Sequence, residues 1–140
     1  MRCEEVTRIR AHIRLAPVPT SARQARRFVS DTLAQWGDER FVDAASLLVS
    51  ELVTNAVVHA CSAVDVVVGH EGIHASLRVE VRDSSRRVPR LGGFFDLDAI
   101  SGRGLALVEA MSDRWGVESG DAGKSVWFEL ERQLEASQPA

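Results

Sequence analysis

Cysteine is scarce in this chain. Cys3 and Cys61 stand alone, without the C-x-x-C spacing of a zinc or redox site, and read as reduced thiols. Apolar runs are short as well. None reaches the ~18 residues of a membrane span, and Met1-Arg2-Cys3-Glu4-Glu5 carries acid where a secretory leader has its apolar core. A cytoplasmic location without membrane attachment is expected. Positive charge is not in excess either: a net charge of −3 gives no general attraction to nucleic acid, so no direct nucleic-acid partner is expected. The nucleophile elbow G-x-S-x-G is missing, and His59, Cys61, His70 and His74 hold no zinc spacing. Gly123-Lys124-Ser125 spells the end of a P-loop, but Glu118 stands where the first glycine belongs, and Val126-Trp127-Phe128 continues as a strand instead of opening a helix. With no internal repeat and no Pro- or Ser-rich linker, residues 1–140 read as one domain with a frayed tail over 131–140. A chain of this size buries about two-thirds of the surface its unfolded form exposes.

What is present is strongly periodic. Ile9, Ala11, Ile13 and Leu15 alternate with Arg10, His12 and Arg14, the pattern of a half-buried strand that Pro17 and Pro19 end. His12 is placed toward solvent. Thr20 or Ser21 caps a helix whose apolar positions Ala22, Ala25, Val29, Leu33 and Trp36 follow the 3.6 period, with Gly37 closing it and Arg23, Arg26 and Arg27 on a solvated face. Asp38 caps a second helix that runs to about Ala60. Val64 to Val68 and Ile73 to Val81 form a hairpin through a turn at Glu71-Gly72. Periodicity fails from Ser84 to Ser101, where Arg86, Arg87, Pro89, Arg90 and Gly92-Gly93 break any regular element; so long an irregular run reads as a functional loop or a disordered one. A helix follows from Leu105 to Met111, then strands at Trp115–Glu118 and Val126–Leu130. The order β, α, α, β, β, loop, α, β, β implies an α+β two-layer sandwich, a mainly antiparallel mixed sheet with helices on one face.

The second helix carries the most informative stretch. From Leu47 to His59 it lacks Pro and Gly, and its polar residues Glu51, Asn55 and His59 recur at every fourth position. On a helix these stack in one stripe, with neighbouring Cβ atoms about 5–6 Å apart. A carboxylate and an amide oxygen thus leave an otherwise apolar helix in the same direction. His59 reads as a packed or capping histidine at the helix end. Asp83 stands just past the end of the second hairpin strand, where a rigid sheet positions the loop that begins there. Gly102 and Gly104 precede a helix, where exposed N–H groups and the helix dipole favour a phosphate.

These pieces occur in a meaningful order. Glu51-Leu52-Val53-Thr54-Asn55-Ala56 resembles the N box of the GHKL ATPases, the superfamily of gyrase B and the histidine kinases. Asp83-Ser84-Ser85 resembles a variant first glycine box, and Gly102-Arg103-Gly104-Leu105 the second. With Gly123-Lys124-Ser125-Val126-Trp127-Phe128, the chain most resembles the anti-sigma-factor serine kinases, in particular the stand-alone ATP-binding regulators of actinomycetes, from Ile9 to Leu130. Ser85 stands where the family's D-x-G has its glycine, and Ser101 where many relatives have another.

The resemblance implies a Bergerat-type fold and a set of roles. Asn55 would ligate Mg²⁺ through one hard oxygen, with the triphosphate and water completing an octahedron. Glu51 would act as general base toward an attacking hydroxyl. Asp83 would accept from the adenine 6-amino group, with Ser85 beside it and Ser125 as the last-strand hydroxyl that helps to hold the base. Gly102, Arg103, Gly104 and Leu105 would wrap the phosphates of ATP beneath a lid over 84–101. The implied partners are a sigma factor and a STAS-type antagonist of the anti-sigma factor, with a homodimer expected from the family. Two functional classes follow: a protein serine kinase that phosphorylates the antagonist and sequesters the sigma factor, and a non-catalytic module in which nucleotide shapes the partner surface.

Overall fold

Alternating side chains build the first strand. β1 (Arg8–Leu15) turns Ala11, Ile13 and Leu15 inward and leaves Arg10, His12 and Arg14 outside. The structure, a computed structural model, describes residues 8–60, 62–71, 76–84, 106–120 and 123–131. Helix α1 (Ser21–Trp36) follows. Thr20 occupies its N-cap position without a side-chain cap, while Ser21 Oγ donates to the Ala16 carbonyl at 2.5 Å and anchors the first turn to the end of β1. At the other end Gly37 adopts φ 76°, and the N–H groups of Gly37 and Asp38 donate to the carbonyls of Ala34 and Leu33 at 3.3 and 2.9 Å. This is the Schellman closure expected of a glycine just past a helix.

A single 3₁₀ turn (Glu39–Phe41) leads into α2 (Val42–Ala60). Asp38 does not cap it through its side chain, contrary to the sequence reading. The Asp38 carboxylate is buried instead, 2.9 Å from His70 Nε2, and the His70 ring meets Trp36 edge-on at 5.9 Å. The carboxylate thus lies beside a residue 32 positions away in sequence instead of at the helix start, though its buried Oδ2 makes no hydrogen bond among the described residues.

β2 (Val64–Glu71) and β3 (Ser76–Asp83) form the hairpin, and α3 (106–111), β4 (Arg114–Gly120) and β5 (Gly123–Glu131) complete the chain. Glu71 pairs with Ser76, so β2 runs on through Glu71, where the sequence reading began the turn; Gly72 and Ile73 lie outside the described residues. The sheet order is β1-β2-β3-β5-β4. Every pairing among the described residues is antiparallel, in keeping with the mainly antiparallel sheet expected from the sequence; no parallel pairing occurs among the described residues. β5 slots between β3 and the edge strand β4, which gives the two-layer α+β arrangement with helices on one face.

The core lies between these layers. Val64, Val66, Val68, Leu77, Val79, Val81, Phe128 and Leu130 point from the sheet toward Ala45, Leu48, Val49, Leu52, Val53 and Ala56 of α2, while Ala25, Val29 and Leu33 of α1 are buried with them. Packed against both α1 and the sheet, α2 needs apolar residues around most of its circumference. By length and composition Glu39–Val58 would also suffice to cross a membrane. Here Ala45, Leu48, Val49, Leu52, Val53 and Ala56 of this segment fill the core, while Leu47 and Val58 are exposed.

Candidate functional site

Core packing fixes the rotation of α2, because Leu52, Val53 and Ala56 are buried around Glu51 and Asn55. The two polar residues, one turn apart, are left half-buried on a shared stripe. Among the described residues, the buried Asn55 Nδ2 has no hydrogen-bond partner. Leaving such a donor unmet costs about 1–3 kcal/mol, so a buried amide with spare capacity points to something other than packing.

Asp83 arrives from the sheet. Leu77, Val79 and Val81 set the inward phase of β3, and two residues on Asp83 shares it, a buried residue, 8% exposed, at the strand's last position. Residues 61–63 alone separate α2 from β2, so the last turns of α2 and Val64 lie at one end of the sandwich. Val64 pairs with Asp83, and Asp83 with Lys124, which brings all three strands to that same end. The Ser84 N–H donates to Ser62 Oγ at 3.3 Å, tying the residue after Asp83 to the α2–β2 connection. Asn55 and Asp83 therefore reach one end of the molecule by different routes.

Ser125 does not join them. It pairs with Arg82, one residue before Asp83, and successive strand residues face opposite sides. Its hydroxyl donates to Glu80 Oε2 at 2.7 Å on the outer face. The role implied for Ser125 by the resemblance thus falls on the wrong side of the sheet. Burial alone would raise the Glu80 carboxyl; hydrogen bonds from Arg82 and Ser125, with the charges of Arg82 and Arg78, outweigh it and hold the group below its ordinary value.

Ser85, Gly102, Arg103, Gly104 and Leu105, with the lid arginines Arg86, Arg87 and Arg90, lie outside the described residues. The helix that follows the glycines is described: α3 seats Val108 in the core, with Leu107 and Met111 beside it. Three residues at this end of the sheet were given no site role by the sequence reading: Ser62, Gly123 and Lys124. Counting back by twos from Phe128 would have placed Lys124 inward, whereas nothing local marks Ser62. Gly123 has φ 135°, and a Cβ built there would lie 2.1 Å from the Asp83 carbonyl oxygen. Its missing side chain lets β5 close against the end of β3.

Residues 15–130, most of the chain, match the family model of the histidine kinase-like ATPase domain. The chain belongs to that family. Among solved structures, this histidine kinase-like ATPase domain is similar to the RsbU and RsbW domains of Rv1364c from Mycobacterium tuberculosis. The likeness has 23% identity and a TM-score of 0.61, over 89% of this chain and 33% of that one. The domain spans about a third of that chain, and the likeness concerns the fold. No curated protein matches it.

Membership implies ATP binding, and the residues present fit a nucleotide with its magnesium. Asn55 offers a partly buried amide whose unmet Nδ2 donor suits a phosphate oxygen and whose oxygen is a hard ligand type, and Asp83 a buried acceptor for a base donor. No group of three or more His, Cys, Asp or Glu side chains suited to hold a metal occurs among the described residues. Asn55 would hold magnesium in concert with phosphate oxygens, as is usual for this ion.

Proposed function

We propose that this ATPase domain is an ATP-dependent protein serine kinase of the anti-sigma-factor type. It phosphorylates a STAS-type antagonist on serine and sequesters a sigma factor, in the cytoplasm and as a homodimer. The observation that carries the reading is the placing, one turn apart on the same stripe of α2, of the carboxylate Glu51 and of Asn55, whose buried Nδ2 is an unmet donor. A pure nucleotide binder has no need of the base.

In this reading each side chain has one task. Asp83 accepts a hydrogen bond from the adenine 6-amino group and orients the nucleotide. Asn55 contributes its amide oxygen to the magnesium that the triphosphate carries. A Glu51 carboxylate oxygen takes the proton of the substrate serine hydroxyl as its oxygen bonds to the γ-phosphorus and ADP departs. Bound ATP and Mg²⁺ supply the phosphoryl group and neutralise its charge.

Transfer of label from ATP to a purified STAS-type antagonist tests this. Glu51→Gln is expected to cut the transfer rate by about 10²–10⁴, the usual contribution of general base catalysis, while ATP affinity stays within a few-fold. Full transfer by that variant would remove Glu51 from the role of base. Tight antagonist binding without transfer by the unsubstituted chain would instead make the domain the non-catalytic, nucleotide-shaped module.

A further inference from the structure

On the inner face at the site end of the sheet, one cross-strand row runs from Val64 through Asp83 to Lys124. Directly opposed residues bring their Cβ atoms to about 4.5–5.5 Å on the same face, so Asp83 and Lys124 are immediate neighbours. Among the described residues, the Lys124 ammonium is nevertheless in no hydrogen bond or ion pair. The contrast with the outer face of the same strands is sharp. There Arg78 and Arg114 bind Glu129 at 3.1 and 2.9 Å, Arg82 binds Glu80 at 3.1 Å, and Arg78 lies 4.1 Å from the Trp127 ring centroid. A lysine beside a buried carboxylate, with its charge unspent, fits a ligand seated between them.

Resting on the ATP-site reading above, we infer that Lys124 is a second base-reading residue, donating to the adenine ring nitrogen adjacent to the 6-amino group that Asp83 accepts. Adenine presents that amino donor next to a ring-nitrogen acceptor on either edge, N1 on one and N7 on the other. A carboxylate and an ammonium side by side offer the complementary acceptor and donor. The ammonium takes the place in the site that Ser125, turned to the outer face, does not fill. Base recognition here relies on a charged donor in place of a hydroxyl.

The test is titration of the full chain with Mg-ATP, 1-deaza-ATP and 7-deaza-ATP, repeated for Lys124→Met, Lys124→Arg and Asp83→Asn. The unsubstituted chain is expected to bind one deaza analogue roughly ten- to hundred-fold more weakly than ATP, the scale of a hydrogen bond to a charged group. Which analogue suffers identifies the ring nitrogen. Lys124→Met should lose the same factor for ATP and no longer distinguish that analogue, while Lys124→Arg, which keeps a donor, retains discrimination. ATP bound equally by Lys124→Met and the unsubstituted chain would overturn the inference, as would equal affinity of the unsubstituted chain for all three nucleotides. If Asp83→Asn alone weakens ATP, the site reading stands without Lys124; if the unsubstituted chain binds no ATP, both fall.

Discussion

Asp83 and Ser125 show how one residue of strand phase sends two polar groups to opposite faces of the sheet. Both are polar and both lie at the site end of the sheet, yet pleat alternation sends Asp83 toward α2 and Ser125 toward Glu80 on the outer face. Ser125→Ala should therefore leave ATP affinity unchanged and cost stability instead, about 1 kcal/mol at neutral pH after allowing for partial exposure. Its pH dependence follows from Glu80, whose folded-state pKa is depressed. The stabilisation from the partners of Glu80 is complete above its unfolded value of 4.5 and fades as pH falls through the lower folded value. Urea midpoints of the two proteins should differ at pH 7 and converge in acid. A weakened ATP titration in Ser125→Ala would restore the hydroxyl to the nucleotide site. At this scale the sequence was legible wherever spacing within a single element decides direction, as for Glu51 and Asn55. It was illegible where the answer depends on which residue of a neighbouring strand lies opposite, as for Ser125 and Lys124.

Elements close around the site through backbone contacts as much as through side chains. The start of β5 passes so near the end of β3 that Gly123 combines a positive φ with no room for a Cβ beside the Asp83 carbonyl. Gly123→Ala is expected to destabilise the fold by roughly 2–3 kcal/mol, combining left-handed backbone strain with displacement of the strand end. Because the displaced atoms belong to Asp83 and Ser84, ATP affinity should fall in parallel. Thermal unfolding with and without ATP measures both, and an unperturbed melting point would show that the two strands separate without cost. The strands and the two long helices were readable from their periods of 2 and 3.6. Asp38 was not, since its carboxylate is buried beside His70, a tertiary placement that overrides cap preference. The pairing of β5 between β3 and β4 was equally hidden, because hairpin logic joins β4 to β5 but says nothing of which one meets β3.

Across the whole molecule, the sandwich leaves one end polar. The core residues of α2 and the sheet are apolar, and the departures from that pattern, Asn55 and Asp83, lie toward the end where α2 passes into β2. An unmet donor such as Asn55 Nδ2 weakens the empty fold, and under the proposed reading a ligand offsets that cost, the trade between stability and function expected of a binding site. Mg-ATP at a hundred times its Kd should add about 2.7 kcal/mol to the unfolding free energy, roughly a 10 °C rise in Tm for a chain of this length. Asn55→Leu separates the two sides of the trade, since leucine has a similar volume without the unmet donor. Its ligand-free stability should equal or exceed that of the unsubstituted chain by up to about 1 kcal/mol, because a buried unsatisfied group has been removed. Its gain from Mg-ATP should shrink toward the gain seen with ATP in the presence of a chelator, because the oxygen offered to the metal has gone with the amide. Urea unfolding of both proteins, each measured alone, with Mg-ATP, and with ATP and chelator, reads all of these quantities. A variant that is less stable when empty yet gains from Mg-ATP as much as the unsubstituted chain would make Asn55 a packing residue and remove the metal from α2.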